Sequence, residues 1–135
     1  MIQKETGEGF MIIASAEPQP YLTRFSNGKQ TTNADTTPDK GGGGLGFRPH
    51  ELLEAALATC MNMHLRMYAS NHGIELGDVI TTVSLDRNSQ EETVFNYSIE
   101  LSGQLADEQR KKLLEIAETC PVHRTLDKKL SFRIL

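Results

Sequence analysis

The pattern of apolar and polar residues predicts short strands in the first third of the chain. Residues 10–15 (FMIIAS) form a compact apolar run, and residues 21–25 form a second run after two prolines. Asn27-Gly28 is a typical hairpin dipeptide. We therefore expect the second strand to fold back on a third strand at residues 30–34.

A long helix is predicted from Pro49 to about Ser70. Proline suits the first helical position, and Asn71 and Gly73 supply a stop after the last turn. Apolar and thiol side chains recur at steps of four and three residues, which places them on one face of a helix. This predicted inward stripe consists of Leu53, Leu57, Cys60, His64 and Met67. Other positions are also largely apolar, so we expect a buried central helix.

The second half of the chain is predicted to contain two strands followed by a helix. Period-two patterns favour strands at residues 79–85 and 93–101. A second helix is predicted at residues 106–119, with Leu113, Leu114 and Ala117 inward. A further turn follows at Cys120-Pro121, and alternation of Leu130, Phe132 and Ile134 predicts a closing strand. Strands grouped around helices predict an α+β fold with antiparallel sheets.

Length and charge limit the kinds of protein that this chain can be. Its 135 residues fit one domain, residues 1–135. Fourteen basic and 18 acidic side chains give a net charge of −4 without a basic block, which argues against nucleic acid or an anionic membrane as partner. Neither a membrane span nor an apolar signal region is present, so we expect a cytoplasmic protein with no membrane partner.

A glycine-rich segment at residues 36–49 precedes the long helix. It holds two prolines and five glycines in fourteen residues, which predicts a loop. Gly41–Gly44 could be taken for a phosphate-binding loop, but no Lys-Ser/Thr pair follows and the GxGxxG pattern is not met. We therefore interpret this segment as a pliable loop that leads into the helix.

Two cysteines are the residues with the clearest chemical potential. Cys60 lies in the middle of the predicted helix, where burial alone makes a thiol inert, so it needs a nearby cation to react. Cys120 lies at a helix start, which stabilises a thiolate, so local physics makes it the more acidic thiol. Two inert buried thiols are the simplest interpretation of the pair. With His64 and His123, the two cysteines also form a candidate Cys2His2 zinc site, although the usual CxxC spacing is missing.

Two segments of the chain resemble the OsmC-like family of thiol-dependent hydroperoxide reductases. GGGGLGFRPHELLEAALATC (residues 41–60) is similar to the family's glycine loop, Pro-x-Glu-Leu-Leu motif and helix cysteine, and CPVHRTL (residues 120–126) is similar to its second-cysteine motif. The order of predicted strands and helices also fits. The resemblance implies an intertwined homodimer that defends the cell against oxidative stress by reducing organic hydroperoxides.

The resemblance also implies a role for particular residues. Cys60 matches the peroxidatic thiol and Cys120 the resolving thiol, which reverses the ranking from local physics. The family places an arginine beside the first thiol. Arg24 is our candidate for it, and Arg48, beside the glycine loop, is the alternative.

The acidic partner of that arginine departs from the family pattern. In the organic hydroperoxide resistance branch it stands ten residues before the thiol, where this chain has His50, and Glu51 is nine residues before. Nine residues of helix span about 13 Å, so Glu51 cannot touch Cys60 of its own chain. In this interpretation, Glu51 of the partner chain would orient Arg24.

The expected reaction needs no bound cofactor or metal. Cys60 becomes a sulfenic acid, Cys120 closes a disulfide, and an external dithiol reduces it. An apolar substrate pocket is expected from Leu53, Leu57, His64 and Met67, which would favour bulky organic peroxides. Two alternatives stay open: a non-enzymatic dimer that binds a small apolar ligand, and a zinc-stabilised structural protein.

Overall fold

The computed structural model describes residues 11–135 of the chain. Two compact units are distinguished, Met1–Leu52 and Leu53–Leu135. The expectation of a single domain stays a prediction. Within residues 11–135, no helix combines the length and the apolar character that crossing a membrane requires.

The first unit contains a three-stranded antiparallel sheet. Its strands are β1 (Ile13–Ala16), β2 (Thr23–Ser26) and β3 (Thr31–Ala34), in the order β1-β2-β3. The start of the first predicted strand, at Phe10, lies outside the described residues. The predicted pairing of the second and third strands is confirmed, with Thr23 opposite Ala34 and Ser26 opposite Thr31.

The hairpin between β2 and β3 turns at Asn27-Gly28, as the sequence predicts. The Oδ1 atom of Asn27 accepts hydrogen bonds from the amides of Lys29 at 2.9 Å and Gln30 at 2.8 Å. Gly28 has a φ of 96°, which a residue without a Cβ adopts at no steric cost. The side chain of Asn27 and the freedom of Gly28 therefore close this turn together.

The central helix α1 runs from Pro49 to Asn71, as predicted. The predicted inward stripe is wrong in detail, because Leu53 and Met67 are exposed. The buried row of α1 steps by four residues and consists of Leu57, Met61, Leu65 and Ala69. Residues four apart lie one above the other on a helix, so this row still forms one face. Since nearly every side of α1 is apolar, the pattern alone could not identify the buried side.

The second unit places α1 beside a two-stranded antiparallel sheet. Its strands are β4 (Val79–Asp86) and β5 (Val94–Leu101), which match the two predicted strands to within a residue. Polar side chains join α1 to β4. Glu54 Oε2 accepts the amide of Leu85 at 2.8 Å, and Asn62 Nδ2 donates to the carbonyl of Val79 at 2.9 Å. These bonds fix the position of α1 along the strand.

Two shorter helices complete the second unit. They are α2 (Asp107–Ala117) and α3 (Pro121–Leu126). Leu113 and Ala117 are fully buried, as predicted, whereas the prediction for Leu114 is wrong because its side chain is exposed. The buried core that these helices share with α1 consists of Leu57, Met61, Leu65, Ala69, Leu113, Ala117 and Cys120.

The predicted closing strand is absent from the described part of the chain. Residues 128–135 form no strand, and Phe132 and Ile134 are 95% and 100% exposed. A period-two pattern becomes a strand only where another strand edge pairs with it. The general prediction of an α+β fold with antiparallel sheets is confirmed.

Candidate active site

Cys60 is half-buried in the middle of α1, and its sulfur faces the start of α3. The backbone amide of Val122 donates to Cys60 Sγ at 3.5 Å. This contact joins positions 62 residues apart in the sequence. No residue near Cys60 in the sequence stabilises a negative charge on its sulfur, and the fold supplies an amide donor from another helix. Pro121 marks the start of α3, but no sequence pattern indicates which sulfur the Val122 amide meets.

Cys120 is fully buried at the N-cap position of α3. Its Sγ accepts the amide of His123 at 3.3 Å. Burial nevertheless raises the pKa of the Cys120 thiol, and the nearby Cys60 side chain raises it further. The amides of His123 and Val122 oppose these effects without overcoming them. Local physics ranked Cys120 as the more acidic thiol, and the raised pKa removes that advantage, since desolvation outweighs the amide hydrogen bonds.

The two thiols meet in the second unit. Consecutive amides of α3 contact the two sulfurs: that of Val122 lies 3.5 Å from Cys60 Sγ, and that of His123 lies 3.3 Å from Cys120 Sγ. Both cysteines are free thiols. The first turn of α3 therefore brings the two thiols together, and burial and the nearby Cys60 keep the proton on Cys120 by raising its pKa.

An apolar pocket of about 370 Å³ lies in the same unit. Most of its wall comes from the start of β5, from α3 and from Leu130, and Leu57 of α1 also contributes. Within this wall, the ring of Tyr97 meets that of His123 edge to face, with 6.1 Å between their centroids. Burial, then the charges of Glu118 and Cys120, raises the pKa of Tyr97, so its phenol stays neutral. The pocket thus combines apolar walls with polar groups, which include the carboxylates of Glu92 and Asp127 and the ring of His123, whose amide contacts Cys120 Sγ.

The residues expected to line a substrate pocket are dispersed along α1. Leu57 lies in the wall of the pocket just described. Leu53 is exposed, and Met67 lines a separate surface depression with Met63. His64 is bonded through Nε2 to Thr119 Oγ1 at 2.9 Å. Sequence reasoning missed Tyr97 and Leu126, because a wall built from β5 and α3 requires knowledge of which strand faces which helix.

The two candidate arginines belong to the first unit, and each has a carboxylate partner. Arg24 Nε lies 3.4 Å from Glu17 Oε1, and Arg48 Nε lies 3.3 Å from Glu51 Oε1. All four side chains are partly or well exposed. Glu17 was not expected as a partner, since it is remote from both motifs in the sequence. Which arginine serves Cys60 stays a prediction.

Glu51 has a clear local function at the start of α1. Its Oε1 also accepts the backbone amide of Arg48 at 2.9 Å, which satisfies a donor at the helix N-terminus. This amide, followed by the Arg48 guanidinium, lowers the pKa of Glu51. His50 is exposed in the same turn. Glu51 therefore holds Arg48 in its own chain, and its proposed action on Arg24 of a partner stays a prediction.

The glycine loop is organised by a buried carboxylate that sequence reasoning missed. Asp35 accepts the amides of Thr36 at 2.7 Å, Leu45 at 2.9 Å and Gly43 at 3.3 Å. These hydrogen bonds, that of Leu45 first, lower the pKa of Asp35. The backbone amides that could bind a phosphate in this loop are thus already hydrogen-bonded to Asp35. This arrangement agrees with the interpretation of the segment as a loop that leads into α1.

The zinc alternative receives no support from the described residues. Among residues 11–135, no three His, Cys, Asp or Glu side chains converge as metal ligands. His64 bonds to Thr119, and the ring of His123 packs against Tyr97. The four residues of the candidate Cys2His2 site therefore make other contacts.

Comparison with known proteins places these features in a family. The model of the OsmC-like protein family matches residues 41–134, which include both cysteines and the glycine loop. No curated protein matches the sequence with significance.

Several solved structures share the fold. An OsmC-like protein from Mycoplasma pneumoniae is 18% identical, with a TM-score of 0.75 over 90% of this chain and 89% of that one. The organic hydroperoxide resistance protein OsmC from Legionella pneumophila is 21% identical, with a TM-score of 0.65 over 91% and 92%. The organic hydroperoxide resistance protein OhrB of Bacillus subtilis is 21% identical, with a TM-score of 0.55 over 87% and 89%. With the family match over more than half of its length, the chain belongs to the OsmC-like protein family.

Proposed function

We propose that this protein reduces organic hydroperoxides through a dithiol reaction of Cys60 and Cys120. The observation that carries the proposal is that neighbouring amides of α3, those of Val122 and His123, contact the sulfurs of Cys60 and Cys120. Such proximity of two thiols is what a peroxidatic and a resolving thiol require. The similar proteins from Legionella pneumophila and Bacillus subtilis are organic hydroperoxide resistance proteins, which supports the same substrate class. A role in oxidative stress defence in the cytoplasm belongs to this proposal.

The first step is attack of the Cys60 thiolate on the terminal oxygen of the hydroperoxide. The O–O bond breaks, a Cys60 sulfenic acid forms, and the alkoxide takes a proton to leave as the alcohol. The amide of Val122 donates to Cys60 Sγ and stabilises its negative charge. A guanidinium, from Arg24 or alternatively Arg48, completes the stabilisation and polarises the peroxide.

The second step closes the disulfide. Cys120 Sγ attacks the sulfur of the Cys60 sulfenic acid, and the proton of Cys120 joins the departing hydroxide as water. Burial and the raised pKa keep Cys120 protonated until this step, so the peroxide meets Cys60 first. An external dithiol then returns both residues to thiols. The reaction uses no bound cofactor.

The pocket of about 370 Å³ supports an organic substrate. Leu57 and Leu126 give it apolar walls, and the neutral phenol of Tyr97 adds to the polar groups of Glu92, His123 and Asp127. Burying the organic part of a peroxide against such walls contributes to binding, whereas hydrogen peroxide gains nothing from them. The pocket therefore favours bulky hydroperoxides.

The active form in this proposal is a homodimer. Leu53, Met63 and Met67 leave apolar surface exposed along α1, between 45% and 61% of each side chain. A second copy of the chain would cover this surface, as the family resemblance implies.

Titration of the thiols with cumene hydroperoxide tests the function. One equivalent of peroxide should remove both thiols of the reduced protein and yield one equivalent of cumyl alcohol. A Cys60→Ser variant should consume peroxide no faster than buffer does, and a Cys120→Ser variant should stop at a sulfenic acid that dimedone traps. If the wild-type protein keeps both thiols in excess peroxide, the proposal is wrong.

The pocket also favours a second candidate, a dimer that binds a small apolar ligand with inert thiols. In that case an apolar probe such as cumyl alcohol would bind, and its binding would be independent of both cysteines. Calorimetry with cumyl alcohol on the wild type and on Cys60→Ser, together with unchanged thiols in peroxide, would favour this candidate.

A further inference from the structure

A hydrogen bond connects the neighbourhoods of the two cysteines without involving either sulfur. His64 is half-buried on α1, one helical turn after Cys60, and Thr119 immediately precedes Cys120. His64 Nε2 lies 2.9 Å from Thr119 Oγ1. This bond therefore links the helix that carries the first thiol to the chain segment that carries the second.

The direction of this hydrogen bond follows from the other contact of Thr119. Its hydroxyl lies 2.7 Å from the backbone carbonyl of Ile116 and donates its single proton there. Thr119 Oγ1 can then only accept from His64, so Nε2 of the imidazole carries the proton.

Thr119 lies in the short junction between α2 and α3. Among the described residues, two hydrogen bonds hold this junction and the first turn of α3 to α1: that of His64 with Thr119, and that of the Val122 amide with Cys60 Sγ. The second ends on the sulfur of Cys60. Once that sulfur has reacted, it is no longer a thiolate and this bond weakens. The bond between His64 and Thr119 does not depend on the chemical state of Cys60.

We propose that His64 is a positioning residue that holds Cys120 against Cys60 through Thr119 and so sets the rate of disulfide closure. The inference rests on the dithiol pair of the proposed function, but closure itself requires no peroxide. Cys120 must stay within bonding distance of Cys60 in the interval after the sulfur of Cys60 has been modified. In that interval the contact of His64 with Thr119 is the remaining polar link between the two segments.

Disulfide exchange with 4,4′-dithiodipyridine isolates closure from peroxide chemistry. The Cys60 thiolate attacks one sulfur of the reagent, which forms a mixed disulfide and releases one thiopyridone. Cys120 then loses its proton to solvent and attacks Cys60 Sγ, which forms the protein disulfide and expels the second thiopyridone. With one equivalent of reagent, the first release is bimolecular and the second is unimolecular. The absorbance of thiopyridone therefore reports the two steps separately.

We expect His64→Leu and Thr119→Val to slow the second release about tenfold, because small displacements of reacting groups reduce intramolecular rates strongly. The first release should keep its wild-type rate. The double variant should be no slower than either single variant, since both remove the same bond. His64→Gln and Thr119→Ser retain a donor and a hydroxyl, and each should restore most of the rate.

His72→Leu is the matched control. His72 follows α1 directly, and its Nδ1 bonds to the carbonyl of Tyr68 at 2.9 Å, remote in sequence from the α2–α3 junction. It should leave both releases unchanged. Wild-type second-release rates in His64→Leu and Thr119→Val would overturn the proposal, as would additive slowing in the double variant or a wild-type protein that closes no disulfide. If His64→Leu fails to fold, Thr119→Val against Thr119→Ser decides the question alone.

These results are distinguishable from a failure of the proposed function. A wild-type protein that closes its disulfide with the reagent but ignores cumene hydroperoxide would refute the peroxidase and leave the positioning effect measurable. A protein that reduces peroxide with the same rate of closure in every variant would keep the peroxidase and refute the positioning effect.

Discussion

The amide of Val122 lies 3.5 Å from Cys60 Sγ, so the first turn of α3 supplies a donor to a sulfur in the middle of α1. The next amide, that of His123, donates to Cys120 Sγ at 3.3 Å. Consecutive backbone groups of one short helix thus contact both thiols. Because Pro121 has no N–H, Val122 and His123 carry the first free amides of α3. Both thiols therefore accept hydrogen bonds from backbone amides, which a side-chain substitution leaves in place.

An arginine should govern the first step of the reaction. We expect Arg24→Ala to lower the rate of peroxide-dependent Cys60 oxidation about a hundredfold, the cost of removing one preorganised donor to a developing charge. Arg48→Ala should have a much smaller effect. Stopped-flow oxidation with cumene hydroperoxide measures both rates. The reverse ranking would transfer the role to Arg48, and two unchanged rates would exclude a contribution from either side chain.

The buried thiol of Cys120 should make the reduced protein less stable at alkaline pH. Its pKa is raised in the folded state, so above about pH 8.5 the unfolded chain releases this proton before the folded protein does. The free energy of unfolding should therefore fall as pH rises through this range. Cys120→Ala should start from a lower stability but show a shallower fall. Urea unfolding with a phosphine reductant measures both curves, and parallel slopes would contradict the raised pKa.

Apolar pocket walls should determine the preference for bulky peroxides. Leu130 lines the pocket and is 55% exposed, so Leu130→Ser removes apolar surface from the wall without opening the core. We expect kcat/KM for cumene hydroperoxide to fall roughly three- to tenfold while the value for hydrogen peroxide is retained. Leu114→Ser, at a comparably exposed position on α2, is the control. Equal losses for both peroxides would argue that the pocket does not bind the substrate.

Two glycines of the loop before α1 should respond very differently to an added methyl group. A Cβ at Gly46 would lie 2.3 Å from the carbonyl oxygen of Asn33, whereas one at Gly43 would meet the side chain of Leu45 at 3.3 Å. We expect Gly46→Ala to cost about 1–3 kcal/mol of stability, because backbone cannot yield easily. Gly43→Ala should cost much less. Chemical denaturation of both variants checks this, and equal costs would contradict the close approach at Gly46.

The exposed apolar residues of α1 should be needed for dimer formation. Met63→Glu combined with Met67→Glu would place two carboxylates where a second copy packs, so we expect monomers in sedimentation velocity at micromolar concentration. Leu114→Glu on α2 should leave the dimer intact. Wild-type protein that sediments as a monomer, or a double variant that still dimerises, would contradict the proposed assembly.

Sequence patterns were sufficient for most of the fold because the local signals are strong. Pro49 and Asn71 delimit α1, and the Asn27-Gly28 pair closes the predicted hairpin. The alternating residues 130–134 show the limit of the same reasoning. Their pattern is that of a strand, but no strand of the described residues pairs with them.

Sequence reasoning could predict the candidate site only where a residue type or a motif marks a residue. Cys60 and Cys120 follow from the motifs, whereas local physics expected the helix start to make Cys120 acidic and did not count the burial that raises its pKa. Tyr97 and Thr119 were missed because their contacts depend on tertiary packing. A pattern within one segment carries no information about which residue of another segment it will meet.

Contact between Cys60 and Cys120 also bears on how firmly the chain is held together in its two redox states. A cross-link at these positions would enclose β4, β5 and α2 in a covalent ring of about sixty residues. In the chain-entropy model such a ring contributes about 4 kcal/mol by restricting the unfolded chain. Each turnover would then alternate between the reduced chain and the more constrained disulfide form. The midpoint of a thermal melt would record which of the two forms is present.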